Sequence, residues 1–197
     1  MKRSLLPLAA LAAVAMTSMV HQARAAVIIN DFQNTGFAFD YGSFTGNITT
    51  SATHISIVNA TEQGGAGTNA NFDLSSYYPS GQVSIEARLV SGNLANHFNI
   101  ILATTAGTDY SLYQFSTAGL NTSTFTTVTV NLNAPLQSVG TMNWANITQY
   151  QLQGDYSTTD NFSLEFRNLE VVPEPATWVL LAGGLGVLAV LRRRKIG

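Results

Sequence analysis

The chain has 197 residues, 46% of them hydrophobic, no cysteine and a formal net charge of −2. Without cysteine there is no disulfide framework, no thiol catalysis and no lipidated N-terminal cysteine. Seven of the nine basic residues lie outside residues 26–172; that span keeps two arginines against ten acids, a net −8 with no lysine, so it lacks the basic footprint nucleic acid requires.

Lys2 and Arg3 open the chain, and Leu5–Val20 is mostly apolar. Ala23-Arg24-Ala25 follows the small-x-small rule of signal peptidase sites. Residues 1–25 are therefore expected to be a secretory signal peptide, cut after Ala25.

Residues 26–172 have the size of one domain with its own core. No stretch sustains a helical period, while several alternate with period two. Val83, Ile85, Ala87 and Leu89 alternate with Ser84, Glu86 and Arg88. Phe98, Ile100 and Leu102 repeat the pattern, as do Val128, Val130 and Leu132, and then Phe162, Leu164 and Phe166. Strands are expected at 27–32, 36–41, 53–59, 70–74, 82–90, 96–104, 109–116, 124–132, 147–153 and 161–171. Breaker clusters separate them, among them Gly64-Gly65-Ala66-Gly67, Pro79-Ser80-Gly81, Ala106-Gly107-Thr108-Asp109 and Gly154-Asp155. Many short strands at such spacing predict an all-β antiparallel sandwich or jelly roll.

Candidate chemistry within this span is sparse. Glu86 and Glu165 sit mid-strand, and two carboxyls at suitable separation are the machinery of glycosidases. Arg88 and Arg167 follow them by two residues, a pattern that also makes cross-strand ion pairs. His54 and His97 stand alone, without a metal-ligand spacing, and no G-x-S-x-G elbow is present. Gly64–Gly67 reads as a loop, since no helix or Gly-Lys pair follows. Residues 155–161 are rich in oxygen donors and read either as a calcium loop or as a polar hairpin loop. A sugar site needs aromatic platforms with side chains that bond hydroxyls. Tyr78, Arg88, Tyr113, Gln149 and Gln151 are the candidates for one, with Gln153 extending the same polar strand face. The alternative is that the tyrosines cap the core edge and the glutamines form an ordinary solvent face.

The order of Ile29-Asn30-Asp31-Phe32, Phe72-Asp73-Leu74, Leu112-Tyr113-Gln114-Phe115, Asn143-Trp144 and Phe166-Arg167-Asn168-Leu169 resembles galactose-binding-like jelly rolls and several carbohydrate-binding modules. That resemblance implies a structural calcium with Asp31 as its candidate ligand. Arg167-Asn168 stands where the second aspartate of such sites is expected. No other cofactor is implied.

The chain closes on Pro173-Glu174-Pro175, an uncharged run from Ala176 to Leu191, and Arg192-Arg193-Arg194-Lys195. Sixteen helical residues span about 24 Å, a short membrane crossing that flanking basic side chains extend. A single transmembrane helix over 176–191 is expected, with residues 192–195 held on the cytoplasmic side. Residues 173–197 resemble the PEP-CTERM sorting signal, in which Pro173, Glu174, Pro175, Arg192, Arg193 and Arg194 are the motif positions. The resemblance implies an exosortase-like membrane enzyme as partner in a Gram-negative bacterium. It implies anchorage in the inner membrane before processing, and a final place at the cell surface or in an exopolysaccharide or biofilm matrix. The chain thus reads as an exported, non-enzymatic surface or matrix protein. The alternatives are a carbohydrate-binding module with a specific glycan ligand, or a jelly-roll glycan hydrolase or lyase.

Overall fold

The computed structural model describes residues 25–105 and 108–173. Ala23, Glu174, Pro175, the 176–191 run, Arg192, Arg193 and Arg194 lie outside the described residues, as does the Ala106-Gly107 turn. Residues Ala26–Val172 form one compact unit.

Twelve strands build two antiparallel sheets, and the described residues contain no helix. The first sheet holds β3 (Ile48–Thr50), β4 (Ile55–Thr61), β12 (Asn161–Val172), β6 (Gln82–Leu89) and β9 (Thr126–Asn131) in that order. Strand β1 (Val27–Asn30) pairs with the C-terminal end of β12, beyond the reach of β4. The second sheet runs β10 (Gln137–Val139), β8 (Asp109–Ser116), β7 (His97–Thr105), β11 (Ile147–Gly154), β5 (Gly64–Phe72) and β2 (Phe39–Gly42).

The period-two pattern sets which residues meet between the sheets. Val83, Ile85 and Ala87 of β6, Phe98, Ile100 and Leu102 of β7, and Phe162, Leu164 and Phe166 of β12 are all fully buried. Phe98 stacks on Phe115 of the neighbouring strand at 5.1 Å between ring centroids and meets Phe166 of the opposite layer edge-on at 5.0 Å. Phe44 packs on Phe162 at 4.9 Å.

Strand β12 contains one extra residue. Its register against β6 shifts between Arg167 and Glu170, where Asn168 takes φ 51°. An added residue reverses side-chain parity. Phe166 and Leu169 therefore both face the core, although they are three residues apart.

Three elements differ from the sequence expectation. Strands β3 and β10 have three residues each, too short for a periodic signal. Strand β5 begins at Gly64, not at 70, so the glycine cluster expected to be a loop is a strand. Its reason lies in the neighbouring strand and is given below.

Phe166 touches Phe98 and Phe162 and has no exposed surface. Phe166→Ala is expected to cost about 3–5 kcal/mol, from lost transfer energy and the cavity left behind. Urea denaturation of the variant checks this; a loss below 1 kcal/mol would show that the inter-sheet core is not packed as described.

Candidate functional site

The outer face of the second sheet is set by strand register. Opposed residues of an antiparallel pair share a face. Gln149, Gln151 and Gln153 of β11 stand opposite Ala103, Ile101 and Asn99 of β7, and opposite Asn69, Gly67 and Gly65 of β5. Those β7 residues oppose Tyr110, Leu112 and Gln114 of β8, and β10 adds Gln137 and Val139. On the other flank, Phe39 and Tyr41 of β2 oppose Gly67 and Gly65. No charged side chain stands at any of these positions.

The glycines explain the face. A Cβ on Gly65 would lie 2.3 Å from the Tyr41 hydroxyl oxygen and 2.5 Å from its Cζ. A Cβ on Gly67 would lie 2.7 Å from the Phe39 ring and 2.6 Å from the Tyr150 carbonyl oxygen. Two aromatic rings thus lie against bare backbone, an arrangement that compensates glycine in a strand.

Beside the rings runs a ladder of amides. Gln151 donates to Gln149 Oε1 at 2.6 Å, Gln153 donates to Gln151 Oε1 at 3.1 Å, and Gln149 donates to Asn69 Oδ1 at 3.2 Å. Gln153 also donates to the Tyr41 hydroxyl, which donates to Gln151 Oε1 at 3.0 Å. The network fixes the orientation of each amide. Gln149 and Gln151 each have a second N–H beyond the one used along the ladder, whereas the Gln153 amide donates to both Gln151 and Tyr41. Asn99, 4% exposed, donates to the Gly154 carbonyl at 3.1 Å, while its buried Oδ1 has no partner among the described residues.

Burial pushes the Tyr41 phenol up to about 12 from an ordinary value of 10.0; the bond from Gln153 acts in the opposite direction, and Tyr156 adds to the rise. Tyr113 and Tyr150 shift upward as well, chiefly through burial.

The five residues expected to line a sugar site separate. Gln149 and Gln151 are on this face. Tyr113 points the other way: it is fully buried and donates to the Leu132 carbonyl at 3.0 Å, so it is a core residue with no surface for a ligand. Arg88 belongs to β6 in the opposite sheet. Tyr78, 44% exposed, lies in the segment between β5 and β6 and stacks on Trp144 at 4.6 Å, so it is not on the glutamine strand. Phe39, Tyr41 and Asn69 escaped the sequence reading. The matched spacing of Phe39-x-Tyr41 and Gly65-x-Gly67 was the available signal.

The glutamates face the other side of the sandwich. Glu86 opposes Arg167 and Glu165 opposes Arg88 across β12 and β6. Arg167 donates to Glu86, and Arg88 Nε donates to Glu165 at 2.6 Å. Both guanidinium groups pack on the Phe125 ring, Arg88 Cζ 4.6 Å and Arg167 Cζ 4.4 Å from its centroid. Burial opposes ionisation of Glu86, but hydrogen bonds from Asn168 and Arg167 outweigh it and hold the carboxyl below its usual range. A glycosidase acid needs the opposite shift.

Asp31 accepts a hydrogen bond from the Gln33 amide at 2.9 Å, and its carbonyl accepts from the Asn168 amide at 3.4 Å. The Asn168 side chain is committed to Glu86 at 2.8 Å. Among the described residues no group of three or more His, Asp or Glu side chains converges on a metal position. The oxygen-rich 155–161 segment crosses from β11 in the second sheet to β12 in the first, and its Thr158 and Ser157 hydroxyls donate to the buried Glu62, at 2.6 and 3.5 Å.

Residues 171–195 match the PEP-CTERM protein-sorting motif. No curated protein sequence matches the chain. The sandwich is similar to solved carbohydrate-binding jelly rolls. One is the family 30 module of a cellulosomal cellulase of Clostridium thermocellum, at 14% identity and TM-score 0.53, covering 75% of this chain and 98% of that one. Another is the family 11 module of Clostridium thermocellum in complex with a β-1,3-1,4-mixed-linked tetrasaccharide, at 14% identity and TM-score 0.52, covering 78% and 98%. An exo-beta-agarase is similar at 10% identity and TM-score 0.56; the match covers 76% of this chain but a quarter of the agarase. At such identities the likeness establishes the jelly-roll fold.

Two outcomes follow from the site geometry. Gly67→Ala is expected to destabilise the fold by about 1–3 kcal/mol, because its neighbours on one side are backbone; chemical denaturation measures it, and a neutral result would place the Phe39 ring elsewhere. The raised tyrosines act at alkaline pH. A phenol whose pKa is higher folded than unfolded stabilises the protein in its neutral form. That contribution is complete below pH 10 and is lost as pH rises toward about 12. The denaturation midpoint should therefore fall across that interval, and fall less in Tyr41→Phe; a flat midpoint would contradict the burial of these phenols.

Proposed function

We propose that this is an exported glycan-binding surface protein without catalytic activity. The observation that carries the reading is the uncharged outer face of the second sheet, where two aromatic rings pack against glycine backbone beside a hydrogen-bonded row of amides. Aromatic faces stack on the apolar faces of sugar rings, and amides offer one donor and one acceptor to each hydroxyl. The likeness to carbohydrate-binding modules supports the same reading. Gln149 and Gln151 keep the role expected of them, joined by Phe39, Tyr41 and Asn69, while Tyr78, Arg88 and Tyr113 do not.

The match of residues 171–195 to the sorting motif supports delivery through the inner membrane. In this reading an exosortase-like enzyme processes the tail, and the sandwich reaches the surface or exopolysaccharide matrix of a Gram-negative cell. Residues 1–25 serve as the signal peptide and 173–197 as the sorting signal, with Pro173, Glu174, Pro175 and the arginines Arg192, Arg193 and Arg194 as its working parts. Glu86 and Glu165, each held by an arginine, serve the fold and not hydrolysis.

Replacing Pro173-Glu174-Pro175 by alanines in the full chain should leave the protein in the inner membrane. Cell fractionation with immunodetection checks this, and unaltered surface delivery would remove the sorting role. Independently, the protein should be retained on polysaccharide isolated from its own cells, and Tyr41→Ala should abolish retention; equal retention of both forms would exclude the face as the site.

A further inference from the structure

We infer that the ligand of the second-sheet face is an uncharged polysaccharide chain, and that acidic polysaccharides are excluded. This rests on the glycan-binding reading above and names the ligand class of that site.

The inference comes from where the charges are. The compact unit has two arginines and no lysine. Arg88 and Arg167 both stand on the outer face of the opposite sheet, in β6 and β12. Neither is available to a ligand: Arg88 is bonded to Glu165, Arg167 to Glu86, and both guanidinium groups pack on Phe125. The second-sheet face carries the Tyr41 and Tyr110 phenols; Asp109 pairs with Thr105 at one strand end, and at the other the Asp155 carboxylate stands 3.4 Å from the His97 ring nitrogen. Asp155 also accepts from Gln114 at 3.0 Å, so that end of the face is acidic.

A polyuronate or sulfated glycan would bring negative charge to a body of net −8 with no free cation on the binding face. Like charge at close range opposes association, and desolvating an anion without a partner is costly. A neutral chain meets neither cost. The rings of Phe39 and Tyr41 offer stacking, and the ladder Gln153–Gln151–Gln149–Asn69 offers donors and acceptors at fixed orientation. From β2 to β10 the face crosses five inter-strand gaps, about 24 Å at the usual strand spacing, which suits an oligomeric stretch more than a single sugar.

Native affinity electrophoresis of the full chain in mild detergent tests this, with agarose, a soluble neutral β-glucan and a polyuronate as separate gel additives. Retardation is expected in a neutral gel and not in the polyuronate. It should be unchanged between low salt and about 0.5 M salt, because no ion pair is made. Gln151→Ala is expected to weaken neutral binding about tenfold, the loss of one hydrogen-bonding group. Tyr41→Phe, which keeps the ring, should weaken it less; thermal unfolding confirms that each variant is folded. Retardation by the polyuronate that Gln151→Ala removes would overturn the neutral class and leave the glycan-binding reading standing. Neutral binding indifferent to both variants would overturn the assignment to this face. Retardation in no gel would overturn the reading on which the inference rests.

Discussion

The last strand of the sandwich holds the first sheet together. β12 pairs with β4 and β1 along one side and with β6 along the other, and its phenylalanines reach the opposite layer. It is also the last part of the compact unit to be synthesised. The first sheet is therefore incomplete until residue 172 is available, and most of its inter-strand hydrogen bonds close over long sequence separations. The sorting motif begins at residue 171, so its first two positions, Val171 and Val172, are also the last two of β12. Val171 is fully buried and pairs with Val27 and Val83. Fold and address thus share residues.

The bulge at Asn168 shows how that strand serves two registers. Without the extra residue, either Phe166 or Leu169 would face water. The positive φ of Asn168 costs little for an asparagine, and its side chain and the Arg167 guanidinium both turn to Glu86. The outer face of this sheet is accordingly saturated with ion pairs, and all the positive charge that the arginines bring to the unit is spent internally. The outer face of the other sheet carries no arginine–glutamate pair among the described residues. Its polar groups are amides bonded in a row, which remain neutral at every physiological pH. One sandwich therefore presents two chemically distinct sides, one carrying arginine–glutamate pairs and one a row of bonded amides.

The alternation of Val83–Leu89, Phe98–Leu102 and Phe162–Phe166 was enough to predict β6, β7 and β12 and the inward set of each. The ion pairs were legible too, because Glu86-x-Arg88 and Glu165-x-Arg167 have the same period on facing strands. Tyr113 was misjudged because tyrosine suits a site rim and a core equally well, and only register reveals that it lies on the same side of β8 as Phe115. Gly64–Gly67 was misjudged because glycine is weak in an isolated strand. What stabilises it there is a pair of rings from β2, more than twenty residues away in sequence.

By itself, the sequence determined the sorting motif at the C-terminal end, the acidic and cysteine-free character of residues 26–172, and the all-β pattern of that span. These follow from composition and short-range periodicity, which act locally. The tertiary structure decided which strands became neighbours, and with that which side of the sandwich kept the arginines and which received the aromatic rings and glutamines. Pairing β2 over β5, and β5 beside β11, made one surface from residues 39 to 153. No local pattern specifies such a surface, because hydrogen bonding and core burial across the whole sheet choose the register together.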